Sequence, residues 1–264
     1  MRNPAVAGQF YPGSAEGLRR QLDDLLKMAG KEELPIIGAV VPHAGYVYSG
    51  WVAAEVYARL PAKETFVILG PNHHGLGAPI SLSKDSWRTP LGVVETDAEL
   101  ADVLSGSIID NDELSHRHEH SIEVQLPFLQ MRFSRFKILP VSMGMQDEET
   151  AVEVGEDIAG AARQLNKKVI VIASSDFTHY EPQEIARKVD ARLIEAILNM
   201  DVHELYQRVY SHNATACGYG PIAAAITASN LLGATSGKLL RYATSGDVVK
   251  DYSQVVGYAA IGLT

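Results

Sequence analysis

Cysteine is nearly absent from this chain: Cys217 is the only one in 264 residues. A lone thiol forms no internal disulfide, which fits a reducing compartment and leaves one free sulfur to account for. Basic residues are in deficit, 23 against 32 acidic ones, for a formal net charge of −9, and no basic run stands out. Nucleic acid is therefore not an expected partner. No segment reaches the roughly eighteen apolar residues that a membrane span requires, so a membrane is not expected either. Met1-Arg2-Asn3-Pro4-Ala5 lacks the basic stretch and apolar core of a secretory signal, and a cytoplasmic location is the expectation. Repeats, low-complexity tracts and shifts of composition are missing too. With 46% hydrophobic and 21% charged residues, the chain reads as one folded domain over residues 1–264.

What the chain does have is short apolar runs that stop at histidine. Val67-Ile68-Leu69-Gly70-Pro71-Asn72-His73-His74 is a buried-strand pattern ended abruptly by Gly-Pro, and Ile36 to Val41 reaches Pro42-His43 in the same way. A third run, Val169 to Ala173, leads through Ser174-Ser175-Asp176-Phe177-Thr178 to His179. Helical spacing between the runs, at Trp51–Leu60 and Glu148–Leu165, makes βαβ-type units, so the expected fold is α/β: a single αβα-layered domain with a mostly parallel central sheet. In such a sheet, ligands bind beyond the carboxyl ends of the strands, where all three histidines fall. The two glycines of Ala44-Gly45-Tyr46-Val47-Tyr48-Ser49-Gly50 suggest a close backbone approach at the same place. Ser115 to Glu123 adds His116, His118 and His120. They would share a face on a strand and spread around a helix.

A mononuclear catalytic metal takes about three protein ligands and keeps a position open, and neutral imidazole is its commonest ligand. His43 and His73 supply two imidazoles, and Cys217, flanked by glycine at Gly218 and Gly220, can supply a thiolate. That donor set resembles the facial triad of non-haem iron enzymes with sulfur in place of carboxylate, and its softness admits iron, zinc or copper. Asp176 and His179 suit a proton-transfer role beside such a site. His120 and Glu123 are expected to line the same pocket, with His74 near it. The plain alternative is that Ser174-Ser175-Asp176 caps the next helix and Cys217 is a small core residue.

Val41-Pro42-His43-Ala44-Gly45-Tyr46, Gly70-Pro71-Asn72-His73-His74, Glu119-His120-Ser121-Ile122-Glu123, Ser174 to His179, and Cys217-Gly218 occur in this order. Together with the opening Ala5-Val6-Ala7-Gly8-Gln9-Phe10-Tyr11-Pro12, they resemble the Memo family over essentially the whole chain. That family is similar in fold to the LigB-type class III extradiol dioxygenases. The resemblance implies metal ligation by His43, His73 and Cys217, and an acid/base role for His179 with Asp176 beside it. Tyr46, His74, His120 and Glu123 then belong to the substrate pocket, and iron(II) is the first expectation for the metal, with copper or zinc as alternatives. The dioxygenases place a carboxylate where Cys217 stands, so ring cleavage of catechols is expected to be weak.

Three functions are compatible with these residues. The first is a metal-dependent redox enzyme acting on a small molecule. The second is a signalling module that uses the same pocket for a peptide, as described for Memo relatives that recognise phosphotyrosine; the scarcity of basic residues speaks against it. The third is a metal-free hydrolase built on Ser174 or Ser175 with His179, which lacks a Gly-x-Ser-x-Gly elbow.

Overall fold

In the computed structural model, which describes residues 1–264, the apolar runs are strands among eleven in all. These are β1 (Gly38–Val41), β2 (Thr65–Pro71), β3 (Ile80–Leu82), β4 (Trp87–Thr89), β5 (Gly92–Val94), β6 (Asp110–Asn111), β7 (Lys137–Met143), β8 (Val169–Ser174), β9 (His179–Glu181), β10 (Gly237–Thr244) and β11 (Val255–Leu263). The main sheet runs β10-β11-β1-β8-β2-β7-β3-β6, with β9 added to β11 and the β4-β5 hairpin lying apart. Its four central strands, β1, β8, β2 and β7, are mutually parallel, and antiparallel partners flank them on both sides. Continuous Val/Ile/Leu runs belong in that centre, because helices cover both faces and no residue of β1, β2 or β8 meets solvent.

The helices are α1 (Ala15–Met28), α2 (Tyr46–Tyr57), α3 (Ala98–Leu104), α4 (Leu126–Arg132), α5 (Glu148–Gln164), α6 (Gln183–Leu198), α7 (Val202–Ser211), α8 (Tyr219–Leu232) and α9 (Gly246–Val249). Alternate strand residues face opposite layers. Val67, Leu69, Val171 and Ala173 pack under α3, α5, α6, α7 and α8. Phe66, Ile68, Ile170 and Ile172 pack under α1, α2 and α4. The result is an αβα sandwich.

Local chemistry explains most boundaries. Ser14, Asp97, Asp147 and Asp201 each accept a backbone N–H at a helix start, and Pro127 sits in the first turn of α4, where a missing N–H costs nothing. Two expectations give way. α2 starts at Tyr46 rather than Trp51, and Gly50 lies inside it, where an added Cβ would sit 2.9 Å from Leu25 of α1. The close approach at Gly50 is thus helix against helix, not backbone against ligand. The histidine-rich stretch from Ser115 is neither strand nor helix but a series of turns ending in a 3-10 turn, Glu123–Gln125.

The sheet order positions the site. β1 and β2, linked through α2, do not touch; β8 lies between them. Val41 stands opposite Ser174, and Leu69 opposite Ala173, so the carboxyl ends of three parallel strands finish side by side.

Candidate metal centre

His43 leaves the end of β1 with its backbone N–H donating to Asp176 Oδ1 at 2.8 Å, which ties the tip of β1 to the tip of β8. Its Nδ1 lies 2.9 Å from Ser174 Oγ. The serine hydroxyl has one proton, and it goes to the Ser121 carbonyl at 2.6 Å, while Gln125 Nε2 donates to Ser174 Oγ at 2.8 Å. Ser174 Oγ can therefore only accept from His43. The proton is on Nδ1, and Nε2 is left as a lone pair 3.2 Å from Cys217 Sγ.

The same logic sets His73. Its Nδ1 lies 2.9 Å from Glu119 Oε1, and its backbone N–H donates to Oε2 at 2.7 Å. Glu119 also accepts the backbone N–H groups of His120 and Ser121. Burial alone would raise the Glu119 carboxyl, but the His73 imidazole and these amides outweigh it and hold the group ionised. An ionised carboxylate accepts only, so His73 also carries its proton on Nδ1 and frees Nε2. For His179, Nδ1 donates to the Thr215 carbonyl at 2.9 Å and the backbone N–H to Thr215 Oγ1 at 2.7 Å. Three imidazoles are thus held in one tautomer by three different acceptors.

Cys217 sits in the loop between α7 and α8, and that loop must approach the tip of β8 closely. Gly218 permits this, since a Cβ there would lie 2.7 Å from the Ser174 carbonyl oxygen. Gln146 clamps the loop from the other side, donating to the Cys217 carbonyl and accepting from the Gly220 N–H. The sulfur receives the Asp176 N–H at 3.3 Å. Burial, then the Asp176 carboxyl, push the thiol well above its ordinary range, and burial pushes Asp176 itself up to about 6. Burial likewise lowers His43, and lowers His120 to about 4. Cys217, His43 and His120 are therefore neutral at pH 7, while a carboxyl near 6 leaves Asp176 mostly ionised beside them.

One ligand atom from each of His43, His73 and Cys217 lies within 4.8 Å of the others, and the His43 and His73 rings are 5.2 Å apart. His73, Glu119 and His120 form a second group of the same compactness. Its carboxylate already serves four N–H donors, so Glu119 is better placed to orient His73 than to bind a metal. A pocket of about 510 Å³ opens onto the first group, lined by His43, His73, His120, Asp176, His179 and Cys217 together with Phe10, Tyr180, Val256 and Tyr258.

Three residues expected in the pocket lie elsewhere. Glu123 is fully buried behind it, where it accepts from Arg2, the Ala5 and Val6 amides and the Tyr11 hydroxyl, and so anchors the amino-terminal segment. Tyr46 points into the α2–α4 layer, its hydroxyl donating to the Val124 carbonyl. His74 turns outward to the His118 carbonyl. The capping alternative for Ser174-Ser175-Asp176 fails because Asp176 holds the His43 amide and α6, starting at Gln183, is preceded by Pro182 and has no side-chain cap. The hydrolase constellation fails too, because the Ser174 and Ser175 hydroxyls are spent on Ser121 and Asp176 carbonyls and neither meets His179. Glu119, Thr215 and Gln125 are site residues that the sequence does not disclose. Only Glu119 leaves a trace there, as a carboxylate beside His120.

Residues 2–262 match the profile of the family described as Memo-like protein. A MEMO1 family protein of Methanosarcina barkeri is 58% identical over 262 residues, covering 99% of both chains. One from Archaeoglobus fulgidus is 52% identical over 261 residues, covering 99% of this chain and 98% of its own. Among solved structures, an uncharacterized protein from Escherichia coli K12 superposes with a TM-score of 0.54 over 86% of this chain and 99% of its own. At 11% identity that likeness speaks for the fold alone. The fold, the ordered motifs and near full-length identity to these archaeal relatives lead to one conclusion: this chain belongs to the Memo family.

Proposed function

We propose that the chain binds one transition metal through His43 Nε2, His73 Nε2 and Cys217 Sγ, and that it is a redox enzyme acting on a small molecule in the adjoining pocket. The observation that carries this reading is the set of proton positions. Ser174 and Glu119 each hold a proton on Nδ1, so two imidazole lone pairs and one sulfur face a common space. Two nitrogens and a soft sulfur suit iron, copper or zinc, and iron(II) is the first expectation. Such an ion supplies an open coordination position and, for iron or copper, an exchangeable electron.

The chain's own groups divide the remaining work. His179 keeps its Nδ1 proton on the Thr215 carbonyl and offers Nε2 to take a proton from a substrate hydroxyl. Asp176 keeps β1 and β8 in register and sets the spacing between His43 and Cys217. Phe10, Val256 and Tyr258 exclude water from one wall. The peptide-binding alternative has less support, since no lysine or arginine lines the pocket to meet a phosphate.

The test is anaerobic purification, metal analysis, and cobalt(II) substitution read by optical absorption. Stoichiometric metal with a sulfur-to-cobalt charge-transfer band that vanishes in Cys217→Ser is the expected outcome, followed by oxygen consumption with small reductants. A chain that takes up no metal, or whose band survives Cys217→Ser, would sink the reading.

A further inference from the structure

Tyr180 occupies an unusual position at the mouth of this pocket. β9 pairs with β11 through His179 opposite Val256 and Glu181 opposite Val255, so two steps along β9 answer one along β11, and Tyr180 is the extra residue of a β-bulge. Its φ is 60°, in the left-handed region where a Cβ crowds the next carbonyl and where bulges often carry glycine. Burial does not explain a tyrosine there: the residue is 72% exposed, and its ring meets the His179 ring at 5.8 Å and 64°. Strain kept at an exposed aromatic residue, next to the imidazole that faces the pocket, points to a role in what the pocket holds.

The lining says what that is. Phe10, Tyr180 and the largely buried Tyr258 put three aromatic residues in the lining of one cavity, and Phe10 is itself set against His120 at 4.8 Å. Flat rings gain most from such walls. No lysine or arginine lines the cavity, and its one carboxyl is Asp176. A carboxylate or phosphate held away from the metal position would lose its water and find no counter-ion.

We infer that Tyr180 is a specificity-determining residue whose ring stacks on a flat, uncharged aromatic ligand seated over His43, His73 and Cys217, and that ligands bearing a separate anionic group are rejected. The inference rests on the pocket assigned above. β-Bulges beside active sites re-aim a side chain, and this one turns the ring of Tyr180 to the rim rather than into the sheet.

The experiment titrates cobalt-loaded and metal-free protein with 4-methylcatechol, 3,4-dihydroxybenzoate and O-phosphotyrosine, by calorimetry and tyrosine fluorescence. Wild type should bind 4-methylcatechol at least about tenfold more tightly than either anion. Tyr180→Gly should weaken that binding roughly three- to tenfold while the melting temperature holds or rises, because glycine relieves the backbone. Tyr180→Phe, which keeps the ring, should stay within about twofold of wild type. Equal or tighter binding of an anion overturns the inference, as does failure of 4-methylcatechol to bind. Unchanged affinity in Tyr180→Gly overturns it too, and so does affinity lost together with melting temperature, which would mark a merely structural residue. A chain that takes no cobalt sinks the metal reading alone, and the metal-free titration then decides this one.

Discussion

Cys217 is the residue on which the proposed metal chemistry turns. Its thiol is held protonated by burial and by Asp176, so binding a cation must expel that proton, and metal affinity should rise with pH. Loading the protein with zinc in weak buffer at pH 7 should release about one proton per ion, read with a pH indicator, and Cys217→Ser should release none. In the same variant metal occupancy should collapse with little change in melting temperature, whereas His74→Ala, which alters an outward-facing ring, should keep its metal. Glu119→Gln tests the proton positions instead. An amide can turn its NH2 toward His73 Nδ1 and favour the other tautomer, so affinity should fall about 10- to 100-fold, measured by competition with a chelator. Cys217 is legible in the sequence because it has no rival. Glu119 is not, because its role depends on reaching His73 across 46 residues of chain.

At the scale of elements, one buried carboxylate gathers much of the amino-terminal segment, beside the backbone bonds that Arg2 makes with Ser86 and Arg88. Glu123, on the 3-10 turn before α4, forms an ion pair with Arg2 at 2.7 Å and gathers two amides and the Tyr11 hydroxyl. Removing one partner of a buried pair strands the other, so Glu123→Ala should cost about 3–5 kcal/mol in urea unfolding. It should also loosen residues 1–12, seen as faster proteolysis there, and weaken ligand binding through Phe10. Helix ends in this chain follow short local signals such as Asp147 and Asp201. The turns around His120 do not, since their shape is set by Glu119 and by Arg2 donating to the His116 and Glu119 carbonyls.

Across the whole molecule, buried neutral histidines link stability to pH. His116 is wholly buried beside Trp87 and Arg2, and burial, then the Arg2 charge, lower it to about 4. The unfolded chain protonates near its ordinary value of about 6.5, so the contribution is complete above that value and is lost as pH falls toward about 4. Each pH unit between those two values is worth about 1.4 kcal/mol, so the loss amounts to about 3 kcal/mol. Unfolding free energy should therefore drop between pH 6.5 and 4.5, and the drop should be shallower in His116→Gln. No helix is long and apolar enough to cross a membrane.

By itself the sequence determined the layers and the inventory: apolar runs buried on both faces, helices between them, and His43, His73, Asp176, His179 and Cys217 placed just past strand ends or in a glycine-flanked loop. Those are local properties, because side-chain periodicity and turn residues act within a few positions of themselves. The tertiary structure decided which groups meet. It set β8 between β1 and β2, brought Cys217 Sγ to 3.2 Å from a His43 nitrogen 174 positions away, chose the acceptors that fix each tautomer, and turned Glu123, Tyr46 and His74 away from the pocket. Such pairings follow from sheet register and loop closure, which depend on the packing of all the elements at once and leave no mark on any one stretch of chain.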